Sequence, residues 1–138
     1  MSTIDTSTVQ DIARIILGLF MLYAGIGHLT FLRKPFHAQV PDWVPLSKDL
    51  VVVLSGVVEI LLGLGMVFFS SQKVLVGLAL ATFYILIFPG NISQYRNKRN
   101  AFGLNTDRKR FIRLLFQPVL VLWALWSTGA LSYLIEQF

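Results

Sequence analysis

The chain of 138 residues contains no cysteine and only two histidines, His28 and His37. The missing thiols exclude disulfides, thiol redox chemistry and thiolate-bound metal or iron–sulfur centres. A haem held by two histidines would need both imidazoles, and His37 lies among basic and polar residues in a loop. The sequence therefore predicts no metal site and no intrinsic cofactor.

Charged residues are also scarce, at 14% of the chain, whereas soluble domains carry about a quarter. Hydrophobic residues make up 55%, and the mean hydropathy is +0.68. This composition predicts an integral membrane protein with a single transmembrane domain over residues 1–138. The surplus of basic residues gives a net charge of +5. We do not interpret it as nucleic-acid binding, because these residues flank apolar stretches.

Four apolar stretches predict helices at about residues 9–28, 50–69, 74–91 and 111–134. At ~1.5 Å per residue, each is compatible with crossing ~30 Å of hydrocarbon, where backbone groups must be satisfied within the segment. We expect an all-α, four-transmembrane-helix bundle. The run Phe88-Pro89-Gly90-Asn91 should break the third helix, and Gln117-Pro118 should stand at the start of the fourth.

The basic residues are distributed unevenly along the chain. Only Arg14 and Lys73 belong to one side of the expected bundle, which places both termini outside and the two long connections in the cytoplasm, in a bacterial inner membrane. The third connection either lies near anionic lipid headgroups or forms a docking surface for an acidic protein partner or a phosphate-bearing ligand. Ten of the twelve Lys and Arg residues lie in or beside the first and third connections: Arg33, Lys34, Lys48, Arg96, Lys98, Arg99, Arg108, Lys109, Arg110 and Arg113.

The first connection, residues 30–49, contains Pro35, Pro41 and Pro45, which should keep it extended or broken. Phe36 and Trp43 suggest that it lies at the membrane interface, where aromatic rings settle. It is either a re-entrant loop over the cytoplasmic mouth of the bundle or an ordinary interfacial loop.

Glu59 lies near the middle of the second apolar stretch, where an ionisable group is costly. Ser55, Gly56 and Gly63 share its helical face, and such small residues let another helix approach closely. We therefore expect Glu59 to face the bundle interior, within hydrogen-bonding reach of His28, Gln117 or an ordered water. It either holds the helices together or handles a ligand or a proton.

Three more polar residues, His28, Asn91 and Gln117, lie at the cytoplasmic ends of the other helices. Together with Glu59 they predict a cavity that opens toward the cytoplasmic leaflet. Each of the three has a structural alternative, as a helix end or as a hydrogen bond between helices. Tyr84 and Trp123 would pack the body of a flat ligand, although ordinary packing also explains Trp123.

Five motifs in this order resemble the DoxX-like family of integral membrane proteins. The resemblance implies a four-helix membrane bundle in which His28, Glu59, Asn91 and Gln117 are the polar positions. The motifs are Gly25-x-x-His28, Val40-Pro41-x-x-x-Pro45, Ser55-Gly56-x-x-Glu59-Ile60-x-x-Gly63-Leu64-Gly65, Phe88-Pro89-x-Asn91-Ile92, and Gln117-Pro118 with Trp123 downstream.

The resemblance implies two kinds of function. In the first, the chain binds a quinone-like lipophile through His28, Glu59, Asn91, Gln117, Tyr84 and Trp123, or anchors a redox assembly. In the second, it is a non-enzymatic scaffold, assembly chaperone or cargo receptor. No nucleophile–base pair or metal-ligand set is visible in the sequence, so we do not expect catalysis by this chain alone.

Overall fold

A computed structural model of the chain describes residues 6–99 and 106–137, and within these ranges it contains helices and no strands. Two short 3-10 turns, His37–Gln39 and Ser70–Gln72, lie in the connections. The α-helices are α1 Thr8–Leu29, α2 Arg33–Phe36, α3 Lys48–Phe68, α4 Lys73–Arg96, α5 Asp107–Ser127 and α6 Ala130–Gln137.

Four of these helices, α1, α3, α4 and α5, are long and apolar enough to cross a membrane. They correspond to the four apolar stretches of the sequence. Large apolar side chains cover their outer faces; Leu61, for example, is 63% exposed and Leu86 is 71% exposed. A surface this apolar is suited to hydrocarbon rather than to water.

Side-chain caps set where the long helices begin. Ser7 accepts a hydrogen bond from the backbone N–H of Gln10 at 3.2 Å and donates its own N–H to the Gln10 side chain at 2.9 Å. Ser47 and Thr106 cap α3 and α5 in the same manner, each accepting from an N–H three residues on. These caps start α3 at Lys48 and α5 at Asp107, ahead of the apolar residues that mark each stretch.

The expected break of the third helix at Pro89 is wrong, because α4 continues through it to Arg96. Proline removes a single backbone donor, and the hydrogen bonds before and after it can still hold the helix. The next residue, Gly90, lies directly against the backbone carbonyl of Gln39, and a side chain there would collide with it. The first connection is thus packed onto α4 at this point.

The fourth apolar stretch is two helices rather than one. The chain turns between α5 and α6 at Gly129, whose φ of 79° favours glycine. The hydroxyl of Thr128 donates to Ala124 O at 2.7 Å and closes the end of α5. Pro118 lies well inside α5, not in its first turn, because the helix begins at Asp107.

Helices α1 and α3 pack most closely, through facing glycines. A methyl group at Gly63 would stand 2.8 Å from Gly18 O, and one at Gly25 would stand 2.8 Å from Gly56 O. Helices α4 and α5 form a second close pair. The two pairs contact each other less extensively, through α1 with α5 and through α3 with α4. Small residues permit such close packing in apolar surroundings. The lighter contact between the pairs leaves room for a cavity.

Candidate functional site

A cavity of about 470 Å³ lies between the helix pairs. Its walls come from the second half of α1, α3 as far as Glu59, α4 from Phe83 onward and the middle of α5. The basic residues Arg33, Lys48 and Arg99 lie at this same end of the bundle. Its lining is mostly apolar, and His28, Glu59 and Tyr84 are the three predicted site residues that border it.

His28 and Glu59 meet at the wall of this cavity. The Nδ1 atom of His28 lies 2.7 Å from Glu59 Oε2, and each side chain is only 7% exposed. The glycine contacts between α1 and α3 make this approach possible, since a methyl group at Gly56 would stand 2.7 Å from His28 Cβ. The ring of Phe36 stacks on the imidazole with a centroid distance of 3.4 Å and fixes its orientation. The predicted pairing of His28 with Glu59 is confirmed.

The Nδ1 atom of His28 faces two oxygens at once. It lies 2.8 Å from the carbonyl of Ala24 in its own helix, in addition to the Glu59 contact. A ring nitrogen carries one hydrogen, so it cannot serve both acceptors fully. The bond geometry favours Ala24, and Glu59 Oε2 has no hydrogen bond within the described residues. Glu59 thus lines the cavity, and its buried Oε2 keeps unused hydrogen-bonding capacity beside His28.

Tyr84 contributes an apolar surface to the cavity. Its hydroxyl donates to the Met21 sulfur at 2.9 Å inside the core, so the aromatic ring, rather than the hydroxyl, is the part suited to contact a ligand. The backbone carbonyl of Tyr84 accepts a hydrogen bond from Gln117 Nε2 at 2.7 Å. Gln117 therefore joins α5 to α4 and does not reach Glu59.

Asn91 and Trp123 lie away from the cavity. Asn91 is buried, and its Oδ1 has no hydrogen-bond partner within the part of the chain that the structure describes. Trp123 donates its indole N–H to Ala13 O at 3.0 Å and borders a separate, shallow apolar groove with Trp126. These contacts favour the structural alternatives for Gln117 and Trp123.

Sequence reasoning missed Arg113 as a site residue, because it was counted among the charges of a loop. The half-buried side chain of Arg113 lines the cavity, and its Nη1 donates to Gln117 Oε1 at 3.1 Å. The signal that could have found it is the cap at Thr106, which places Arg113 on a helix, one turn before Gln117.

The first connection covers part of the cavity with Gln39, Val40, Pro41, Trp43 and Val44.

This part of the first connection is held in place by contacts with Arg99, Lys48 and Gln94. Arg99 donates to Val40 O at 2.8 Å and to Asp42 Oδ1 at 2.5 Å, while Lys48 pairs with Asp42 at 2.8 Å. Gln39 donates to the Gln94 side chain at 3.1 Å. We call residues 39–44 the cover segment.

The ion pairs of Asp42 also set its protonation. Hydrogen bonds from Lys48 and Arg99 hold the pKa of the Asp42 carboxyl below its ordinary value. Near neutral pH the carboxylate is therefore charged, and its ion pairs fasten the cover segment to Lys48 at the start of α3 and to Arg99, three residues beyond the end of α4.

Metal binding finds no support among the described residues. Across residues 6–99 and 106–137, no three His, Asp or Glu side chains lie together in an arrangement that could hold a metal ion. Among the residues that line the cavity, His28 and Glu59 can form hydrogen bonds and exchange protons, and Arg113 can pair with a negative charge.

A family model matches most of this chain. No curated protein and no solved structure matches the chain. The family model for a domain of unknown function, DUF8561, matches residues 17–128, which include every residue that lines the cavity. Because this match spans most of the sequence, the chain belongs to the DUF8561 family.

Proposed function

We propose that this chain is an integral membrane protein that binds a small quinone-like lipophile inside its helical bundle. The observation that carries the proposal is a ligand-sized cavity with the buried His28–Glu59 pair on its wall. Small-molecule sites are typically cavities of about 300–1,000 Å³ with mostly apolar walls and a few placed polar groups. A tightly packed interior would have favoured a scaffold.

His28 and Glu59 are placed to bind the polar head of such a molecule. Glu59 lines the cavity, so a ligand hydroxyl can donate to its carboxyl group. A ligand carbonyl can accept from the protonated form of either residue. The ring of Tyr84, with Met21 and Leu120, would pack the ligand's body.

The proposed orientation places the cavity on the cytoplasmic side of a bacterial inner membrane. It rests on the excess of Lys and Arg in the two connections at the cavity end of the bundle. The termini would then lie outside. The cover segment would be a re-entrant element, since Pro41, Trp43 and Val44 line the cavity between the helices.

The resemblance to the DoxX-like family stays a prediction, and with it the role as a subunit of a redox assembly. In that role the chain would supply the lipophile site, and a protein partner bound at the basic third connection would carry out electron transfer. The role as scaffold, assembly chaperone or cargo receptor also stays a prediction.

Native mass spectrometry of the protein extracted in mild detergent tests the proposal directly. We expect a bound lipophile that is retained by the wild-type chain and lost when a quinone analogue is added in excess. Protein that is folded, carries no lipophile and takes up no quinone analogue would contradict the proposal.

A further inference from the structure

Arg113 places a positive charge in the cavity that a neutral lipophile does not require. Hydrogen bonds that link α5 to α4 fix the position of Arg113. Its guanidinium donates to the Gln117 side chain on α5 at 3.1 Å, and Gln117 donates to the backbone carbonyl of Tyr84 on α4 at 2.7 Å. The guanidinium is therefore held at the cavity wall rather than free to extend into water.

The charge of Arg113 is not balanced by the described part of the chain. None of the ion pairs found within residues 6–99 and 106–137 includes it. The cavity's own carboxyl group, Glu59, lies against His28. A guanidinium has five N–H donors, and the described bond to Gln117 uses one of them. A cation in apolar surroundings favours a counter-charge, and here a ligand can supply it.

The cavity also reaches the outer apolar surface of the bundle. Phe20 and Tyr23 on α1 and Leu86 on α4 line it, and they are 52%, 60% and 71% exposed. Helices α1 and α4 touch through the hydrogen bond from Tyr84 to Met21, but they pack less closely than the helices within each pair, so the gap lies between the two helix pairs. A ligand held at Arg113 can therefore extend an apolar chain through this gap toward lipid.

We propose that the cavity binds a single-chain amphiphile with a carboxylate head, such as a long-chain fatty acid, with the head against Arg113. The inference rests on the proposed function, since it concerns the same cavity, and it names the class of ligand. A guanidinium matches a carboxylate with two parallel N–H···O bonds. The cavity volume suits one chain rather than the two chains of a membrane phospholipid.

The test compares palmitic acid with hexadecanol, which has the same chain without the charge. Each is titrated into the purified full chain in mild detergent, and the bound fraction is read by native mass spectrometry. We expect the acid to bind at least about tenfold more tightly, since a guanidinium forms stronger hydrogen bonds with a carboxylate than with a neutral hydroxyl group. Arg113→Gln should remove this preference, and Arg108→Gln, at an exposed position on the same helix, should keep it.

Equal binding of acid and alcohol by the wild-type chain would overturn the inference, and so would a preference that survives Arg113→Gln. If a quinone analogue still binds in either case, the proposed function stands without this ligand class. If folded protein binds none of the three compounds, both proposals fail. Should Arg113→Gln not fold, Arg113→Lys keeps the charge and must retain a preference for the acid over the alcohol.

Discussion

His28 Nδ1 lies 2.7 Å from Glu59 Oε2, and this contact joins α1 to α3 at the wall of the cavity. Both side chains are almost fully buried, so each shields the other from the apolar surroundings. A ligand head group that binds here interacts with the pair rather than with one residue. The two residues should therefore be coupled energetically in binding.

A double-mutant cycle measures this coupling. We expect His28→Ala and Glu59→Gln each to weaken binding of a quinone analogue in nanodiscs, and the double variant to lose less than the sum, because either change already disrupts the pair. His37→Ala is the matched control, since this histidine does not line the cavity. Unchanged affinity in both single variants would exclude the pair from the site, and strict additivity would mean that the residues act separately.

Gly56 should not tolerate even a small side chain at the α1–α3 interface. A methyl group there would stand 2.7 Å from His28 Cβ and 3.0 Å from Gly25 O, neither of which can rotate away. Gly56→Ala should therefore lower the free energy of unfolding by about 1–3 kcal/mol, measured by thermal unfolding in detergent.

Gly27→Ala is the control for Gly56→Ala. Its added methyl would meet the Leu32 side chain at 2.8 Å, and that contact is with the flexible end of the side chain. The helix-propensity gain of alanine over glycine, about 1 kcal/mol, should offset much of this smaller clash. Equal destabilisation by the two variants would mean that the close approach at Gly56 does not hold α1 against α3.

The sequence predicts the apolar helices and the His28–Glu59 pair because both depend on local patterns. Glu59 shares a helical face with small residues, which predicts a close helix neighbour. The turn at Gly129 could not be predicted in the same manner, since the apolar stretch continues past it. The hydropathy pattern also failed to identify Arg113 as a site residue. The first turns of α5 are rich in charged residues, so they are assigned to a loop unless the helix cap at Thr106 is recognised.

The cover segment shows a different limit of sequence reasoning. Its prolines predict a broken backbone, but they do not say what it packs against. That depends on Arg99, 57 residues after Asp42 in the chain, and on the close approach of Gln39 to Gly90. Contacts at such separation have no local pattern in a single sequence.

The fastening of the cover segment should depend on pH. Because Lys48 and Arg99 lower the pKa of Asp42, its ion pairs stabilise the fastened segment above the ordinary carboxyl pKa of 3.8, and this contribution is lost as the pH falls through the lowered value. We expect a change in Trp43 fluorescence below about pH 4, since Trp43 adjoins Asp42 and lines the cavity.

Two variants separate this transition from general acid effects. Asp42→Asn should remove the fluorescence change and give the low-pH signal at neutral pH. Glu136→Gln, at an exposed carboxyl on α6, should leave the transition as in the wild type. A transition that persists in Asp42→Asn would show that another group controls the environment of Trp43.

The orientation of the bundle can be tested because the chain has no cysteine of its own. Single cysteines at Ser2 and Asn105, both outside the described residues, would be exposed to an impermeant thiol reagent on intact cells, with the inner membrane made accessible. The excess of Lys and Arg in the two long connections predicts labelling at position 2 and protection at position 105 until the cells are lysed. The reverse pattern would place the cavity on the outer side, and any ligand would then have to enter from there.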